Sequence, residues 1–461
     1  MRLSLLVLLS VLGCAIAFAG EPASLPPAWA GFALPEPGFR KNVSLNVMKD
    51  VWQGIKIDGR GVFENMIDNW AGGAFSPDYS PYGAMILKGG GHGSYQSSDL
   101  YVFDLTARRF ERILDTWPAG HKPAGAKWIY GPCGPYAPPD GKKMYANVLQ
   151  AFHSYDHVQV IPASAGGGPR GTVVYTHGST GPLGRAVDLA NPGCGQWVFT
   201  TEEERVKPAA PPGYFYFTKN PGPDTGKSEV IGCSSWDGKR KLIWVALGPC
   251  GVYQISAETR LWSEKICDTT NQVRGGWATM QYSPTHDILV VVGGNRNLDR
   301  DDVNWSETGY RNWHWLDCRN PKAGWRLIKA KVPKGQIASA DGSGALQWYP
   351  PLGHFVYYRG MGSTRVLHIS PPAGSDADRA LLASGEWTTQ TEEIASTAPG
   401  APPKGDDPVV CETAPQNGCY QRFAYVPALK CFLWVDSVTK PAQLWRLNDA
   451  KPAAPPAPQG Q

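Results

Sequence analysis

The apolar positions fall into short runs punctuated by glycine and proline, with one longer exception at the start. Leu3 to Leu12 is nearly unbroken, Arg2 precedes it, and Ala17-Phe18-Ala19 follows with the small-residue spacing of a leader-peptidase site. The pattern predicts a signal peptide over residues 1–19, too short for a permanent span, which needs about 20 apolar residues. No later run approaches that length, so no transmembrane span is expected. Val11-Leu12-Gly13-Cys14 leaves a lipid-anchored form through Cys14 as an alternative. Beyond the leader the runs have strand length and end on Gly, Pro or Asp, and helical periodicity is missing, which predicts an all-β chain.

The runs repeat. Residues 83–93 (GAMILKGGGHG) form an apolar strand ending in glycines; residues 99–105 (DLYVFDL) form a second, and Phe110 follows. Residues 288–294 (ILVVVGG) copy the first half, with Trp313 to Trp325 behind them. Residues 173–178 with 186–189, 242–245 with 252–255, 355–360 with 366–369, and 429–436 with 443–447 are further copies. Each is preceded by a segment ending at a turn residue: Pro77, Pro162, Asp237, Pro284, Pro350 and Pro427. Seven residues before the prolines stand Trp70, Tyr155, Trp277, Ser343 and Tyr420, an aromatic column broken once. Fixed-period self-similarity of this kind marks a repeat architecture.

The unit resembles the kelch repeat, in which a diglycine ends the second strand and an aromatic sits in the outer fourth strand. The resemblance implies a single kelch-like β-propeller of six or seven four-stranded blades over residues 45–448. A flexible segment (20–44) precedes it and a Pro/Ala-rich tail (449–461) follows. A seventh blade would close from residues 51–57 and the region around Trp387. Radial packing of twisted sheets leaves only short edges exposed.

Composition supports many short strands: 53 Gly, 41 Pro, 18 Trp and 19 Tyr, with 18% charged residues. The net charge of +4 is small and has no basic block, so nucleic acid is not an expected partner. Ten cysteines leave nine after the leader is removed. In an oxidising compartment these tend to pair, which predicts at least two disulfides, with Cys250 to Cys267 and Cys411 to Cys419 as the short staples. No zinc-type spacing occurs, and no metal ligand set is assigned.

In a propeller the loops entering the innermost strands and those joining second to third strands share one face. These loops carry His92, His153, Tyr155, His157 and His177 as candidate acids and bases. Trp70, Arg274, Trp277, Arg296, Arg359, Tyr420 and Arg422 are candidate substrate contacts. Imidazole titrates near neutrality and can serve as acid or base. In an extended segment His153, Tyr155 and His157 point to one side. Each also has a structural reading, as a loop hydrogen bond or an ion pair between blades. His, Tyr and Arg together suit elimination beside a uronic acid, where Arg neutralises the carboxylate while a base and an acid move the protons.

The expectation is therefore a secreted or periplasmic monomer acting on, or binding, an extracellular glycan or small acidic carbohydrate, best as a polysaccharide lyase. The alternative is a non-catalytic glycan- or protein-binding propeller. Paired glycosidase carboxylates are not apparent apart from Asp156 and Asp341. A copper radical oxidase is a further alternative, because residues 93–97 (GSYQS) resemble the surroundings of one of its tyrosines; the C-terminal domain that supplies a copper histidine there has no counterpart. The cofactor stays unknown.

Overall fold

The computed structural model describes residues 26–52, 54, 63–67, 71–88, 99–114, 127–128, 136–137, 145–146, 154–178, 181–190, 192, 199–200, 214–216, 218–220, 222–223, 232–248, 250–270, 278–293, 313–330, 344–360, 363–396 and 419–448. The chain is an all-β propeller of six blades. Blade 1 comprises Gly72–Ser76, Ala84–Lys88, Leu100–Asp104 and Arg109–Leu114; blade 2 comprises Val158–Ile161, Thr172–Gly178, Gly181–Asp188 and Tyr214–Tyr216. Blade 3 has three regular strands, Gly232–Asp237, Leu242–Leu247 and Gly251–Ser256, and its fourth edge touches only through the bridges Ile255 to Trp262 and Val252 to Cys267. Blade 4 comprises Ala278–Ser283, Ile288–Gly293, His314–Asp317 and Trp325–Leu327, and blade 5 comprises Ala345–Tyr349, His354–Tyr358, Arg365–Ser370 and Thr388–Glu393. The one α-helix among the described residues is Ala380–Ser384, and none is long and apolar enough to cross a membrane.

Blade 6 closes the ring with both ends of the chain. Phe423–Val426, Cys431–Trp434 and Gln443–Arg446 are joined at the outer edge by Phe39–Asn42, in the register Phe39 to Arg446 through Asn42 to Gln443. This settles the blade count at six, and the closing strand comes from residues 39–42, upstream of 51–57 and of the expected boundary at residue 45. The segment before it is anchored under blade 1: the Trp29 indole donates to the Leu105 and Thr106 carbonyls, both at 3.1 Å. Arg108 Nε donates to the Val43 carbonyl at 2.7 Å.

Both faces of each inner sheet are covered by neighbouring blades, which is why the second strands read as continuous apolar runs. Ala84–Lys88 is buried at every position, whereas the outermost strand Thr388–Glu393 is buried at none. The apolar core is accordingly split into six clusters, one in each seam between adjacent blades. Phe110, Trp262 and Trp387, at or beside the outer strands, fill three of these seams. The prolines at 284, 350 and 427 open first-to-second-strand hairpins, where a fixed φ suits the first central turn position.

Among the described residues Cys233, Cys267, Cys318 and Cys419 are free thiols. The expected Cys250 to Cys267 staple is therefore not formed. Cys133, Cys194 and Cys411 lie outside the described residues.

Candidate functional site

The innermost strands of blades 2 and 6 begin with the same tight turn. His157 N–H donates to the Ser154 carbonyl at 2.9 Å, and Arg422 N–H to the Cys419 carbonyl at 2.8 Å. Inside each turn a tyrosine takes a left-handed backbone, φ 41° at Tyr155 and 32° at Tyr420, and Gln421 follows at 63°. A bulky residue there is strained by roughly 1–3 kcal/mol. The other non-glycine residues with positive φ, Arg108, Lys241, Arg260, Asp287 and Lys430, sit in turns between strands. The two tyrosine rings meet edge to face, 5.6 Å between centroids.

Blade 1 threads between these turns on two glycines. Gly72 N–H donates to Ser154 Oγ at 2.7 Å, and Gly73 N–H to the Tyr420 carbonyl at 2.9 Å. A Cβ on Gly72 would stand 2.0 Å from the Tyr155 carbonyl oxygen, and one on Gly73 2.9 Å from Arg422 Cγ. Only glycine permits this approach.

Next to these turns a polar cluster links the blades across the axis. Asp156 of blade 2 accepts the Met280 N–H of blade 4 at 2.9 Å, and its carbonyl accepts Ser234 N–H and Oγ of blade 3, both at 2.8 Å. Gln421 of blade 6 donates to Thr279 Oγ1 of blade 4 at 2.8 Å and accepts from Gln347 Nε2 of blade 5. With the bonds to Gly72 and Gly73, all six blades meet here. Burial pushes the Asp156 carboxyl well above the usual carboxylate range, against the lowering effect of the Met280 N–H, Gln421 and Thr279. The Cys233 thiol alongside is also pushed well up, first by burial and then by Asp156.

Of the expected site residues, His157 is fully buried in the seam of blades 2 and 3, Nδ1 3.0 Å from Thr176 Oγ1. Arg422 is equally buried, donating to the Val435 and Asp436 carbonyls at 3.0 and 3.5 Å and lying 5.5 Å from the Trp434 ring. Tyr155 and Tyr420 come together, 3% and 0% exposed, while His157 and Arg422 occupy different seams. Arg359 follows the second strand of blade 5 and is half-buried. His177 is placed by its backbone opposite Pro182, just past a bulge. His92, His153, Trp70, Arg274, Trp277 and Arg296 lie outside the described residues, as do Asp341 and residues 93–97. Sequence reasoning missed Gln421 and Thr279 as partners of Asp156, and Gln347 as a partner of Gln421; the one available signal was that Asp156 and Gln421 each follow the column tyrosine.

A second polar cluster lies on the opposite, hairpin face, between blades 3 and 4. Asp237, Asp287 and Cys318 bring ligand-type atoms within 4.8 Å of one another. Arg240 already fills that space: Nη1 reaches Asp237 at 2.8 Å and Asp287 at 2.6 Å, and Nη2 reaches Asp287 at 2.9 Å. Lys239 Nζ and the Tyr282 hydroxyl also donate to Asp287, at 2.9 and 3.0 Å. Burial pushes the Cys318 thiol up, which opposes the thiolate a metal needs. The residues present fit an ion-paired lock and not a metal.

No protein-family model matches the chain, and no curated protein does. Among solved structures it is similar to a chain of the mitotic checkpoint complex, with 11% identity, TM-score 0.34, and 90% of this chain and 98% of that one covered. It is also similar to a structural-genomics protein of unknown function from Bacteroides thetaiotaomicron, with 8% identity, TM-score 0.39, and 88% and 75% covered. An auxiliary nutrient binding protein from the same organism gives 9% identity, TM-score 0.32, and 81% and 97% covered. At such scores these likenesses carry no argument about function. The class, a six-bladed β-propeller, rests on the strand pairing above.

Proposed function

We propose that the protein is an exported, kelch-type binding propeller that holds an acidic extracellular glycan on the face where its innermost strands begin. The observation that carries this reading is the burial of the candidate acids and bases: a polar cluster links all six blades at the axis, and His157, Tyr155, Tyr420 and Arg422 are each 3% exposed or less. Function then falls to the aromatic and arginine residues of the entry and second-to-third-strand loops, which suit stacking on sugar rings and paired hydrogen bonds to carboxylates.

A second reading, the polysaccharide lyase, is favoured by one observation: the backbone strain at Tyr155, Tyr420 and Gln421, which clusters at functional sites. One experiment separates the two. The full chain is incubated with a panel of uronate polysaccharides while absorbance of the unsaturated product is followed, and retention on the same polymers is measured by affinity electrophoresis. Retention without product supports binding, product formation supports the lyase, and neither result rejects both.

A further inference from the structure

The gap between neighbouring blades widens with radius, and large side chains on the outer strands usually fill it. Between blades 3 and 4 both outer edges are reduced. The fourth segment of blade 3 forms no regular strand, only two isolated bridges with a few backbone hydrogen bonds around them, and the outer strand of blade 4 is three residues long. That strand is entered through the 3₁₀ turn Pro321–Ala323 and Gly324, whose φ of 76° swings the chain outward. The wedge left open is a cavity of about 540 Å³, within the range of small-ligand sites.

Its lining has a definite chemistry. Trp325 is half-buried and packs partly against the blade 3 to blade 4 core, and it also lines the cavity. Its indole N–H finds no hydrogen-bond acceptor among the described residues. A Cβ built on Gly324 meets nothing within 4 Å, so the approach to the ring is open. Two carboxylate or hydroxyl groups are already committed: Asp268 is paired with Lys265 at 2.6 Å, and Thr269 Oγ1 donates to the Gly248 carbonyl. Lys322 is exposed, lines the cavity and has no ion pair among the described residues. His314 lies on the same face of its strand as Leu316 and adds a second nitrogen-bearing ring to the wall. An aromatic ring, an uncommitted ammonium and an acid already neutralised make a site for a ring-shaped ligand carrying one negative charge.

We propose that this seam binds a carboxylated pyranose, its ring against the Trp325 indole and its carboxylate on Lys322. The site shares no residue with the axial cluster, and Lys322 and Trp325 lie on the outer hairpin of blade 4, away from the entry loops, so their variants test it separately from the function proposed above.

The probe is D-galacturonate, with D-galactose as its uncharged counterpart, titrated into the full-length protein by calorimetry and saturation-transfer NMR. The parent is expected to bind galacturonate with millimolar affinity, roughly tenfold more tightly than galactose, the size of effect one charge-assisted hydrogen bond can give. Lys322→Met should bring galacturonate down to the galactose level. Trp325→Ala should abolish binding of both sugars, and Trp325→Phe should retain it. Lys322 is exposed in a turn, so its variant tests the site even if Trp325→Ala unfolds the seam. The proposal is overturned if the parent binds neither sugar, if it binds the two equally, or if Lys322→Met binds galacturonate as the parent does. Unchanged polymer retention on the upper face in Lys322→Met would show that the two sites are separate.

Discussion

The two faces of the propeller bury polar groups in opposite ways. At the entry face Asp156 is buried without a cation and is bonded across the axis to a backbone N–H and to amide and hydroxyl side chains. At the hairpin face Asp237 and Asp287 share Arg240, with Lys239, Tyr282 and Trp244 as further donors. Burial costs a lone carboxylate so much that it takes up a proton, whereas a guanidinium and ammonium partner keep the acid ionised. Asp287 accordingly lies at about 2, its hydrogen bonds from Arg240, Lys239 and Tyr282 outweighing burial. The first cluster holds a carboxyl that burial raises and the second is an ionic lock, though both would read as acidic residues in turns.

The largest way to break this contrast is to remove the shared cation. Arg240→Ala leaves two buried carboxylates facing each other, and losing one partner of a buried pair costs about 3–5 kcal/mol. Chemical denaturation should show that loss, and adding Asp287→Asn to the same chain should restore part of it. A restoration of nothing would mean the two carboxylates do not need the cation.

Next in size is the response to acid. His354 of blade 5 is buried against His368, with 2.8 Å between His354 Nε2 and His368 Nδ1, and His368 Nε2 lies 2.8 Å from Glu392. Burial and then His368 lower His354 to about 3. The folded protein binds fewer protons there than the unfolded chain, so stability is lost as pH falls from about 6.5 toward 3, by at most about 1.4 kcal/mol per pH unit. Melting curves of the parent should drop across that window, and those of His354→Gln should drop less.

Smaller and more telling is the pair of asparagine variants. Asp156→Asn keeps the shape of a protonated acid and should cost less than about 1 kcal/mol, while Asp287→Asn should cost about 1–3 kcal/mol because it loses charge-assisted bonds. Their pH signatures should have opposite signs. The Asp287 contribution is present above pH 4 and lost as pH falls through about 2. The raised Asp156 gives a contribution that is full below its unfolded value near 3.8 and declines as pH rises toward its folded value. Smallest of all, Lys239→Ala removes a cation whose side chain is 58% exposed and should cost under about 0.5 kcal/mol.

The contrast also explains what the sequence could reveal. Strands such as residues 84–88 and 288–293 are legible because both faces are covered and the apolar run is continuous. The closing strand Phe-Arg-Lys-Asn at 39–42 has no such pattern, because it lies at an outer edge, paired on one side with residues 443–446 and touching the far side only through a bridge to Ala395. Its role comes from pairing with residues 443–446 at the far end of the chain, so the blade count stayed open between six and seven. The aromatic column marked the right place on the innermost strands, but a column cannot show that Tyr155 and Tyr420 turn inward over Gly72 and Gly73. Gln421, Thr279 and Gln347 become partners only when blades 4, 5 and 6 meet across the axis. The cysteine count suggested staples, yet Cys233, Cys419 and Cys431 are buried on or beside inner strands, where they serve as small apolar packing groups.

The central claim is that burial holds the Asp156 carboxyl well above the ordinary carboxylate range, so that it keeps its proton at a pH where an exposed aspartate has lost it. Difference infrared spectroscopy of the parent minus Asp156→Asn at about pH 5, above the ordinary aspartate value, tests it directly. The account predicts a protonated-carboxyl stretch present in the parent and absent from the variant, with no change in the carboxylate bands. Loss of carboxylate intensity with no protonated-carboxyl band would contradict it.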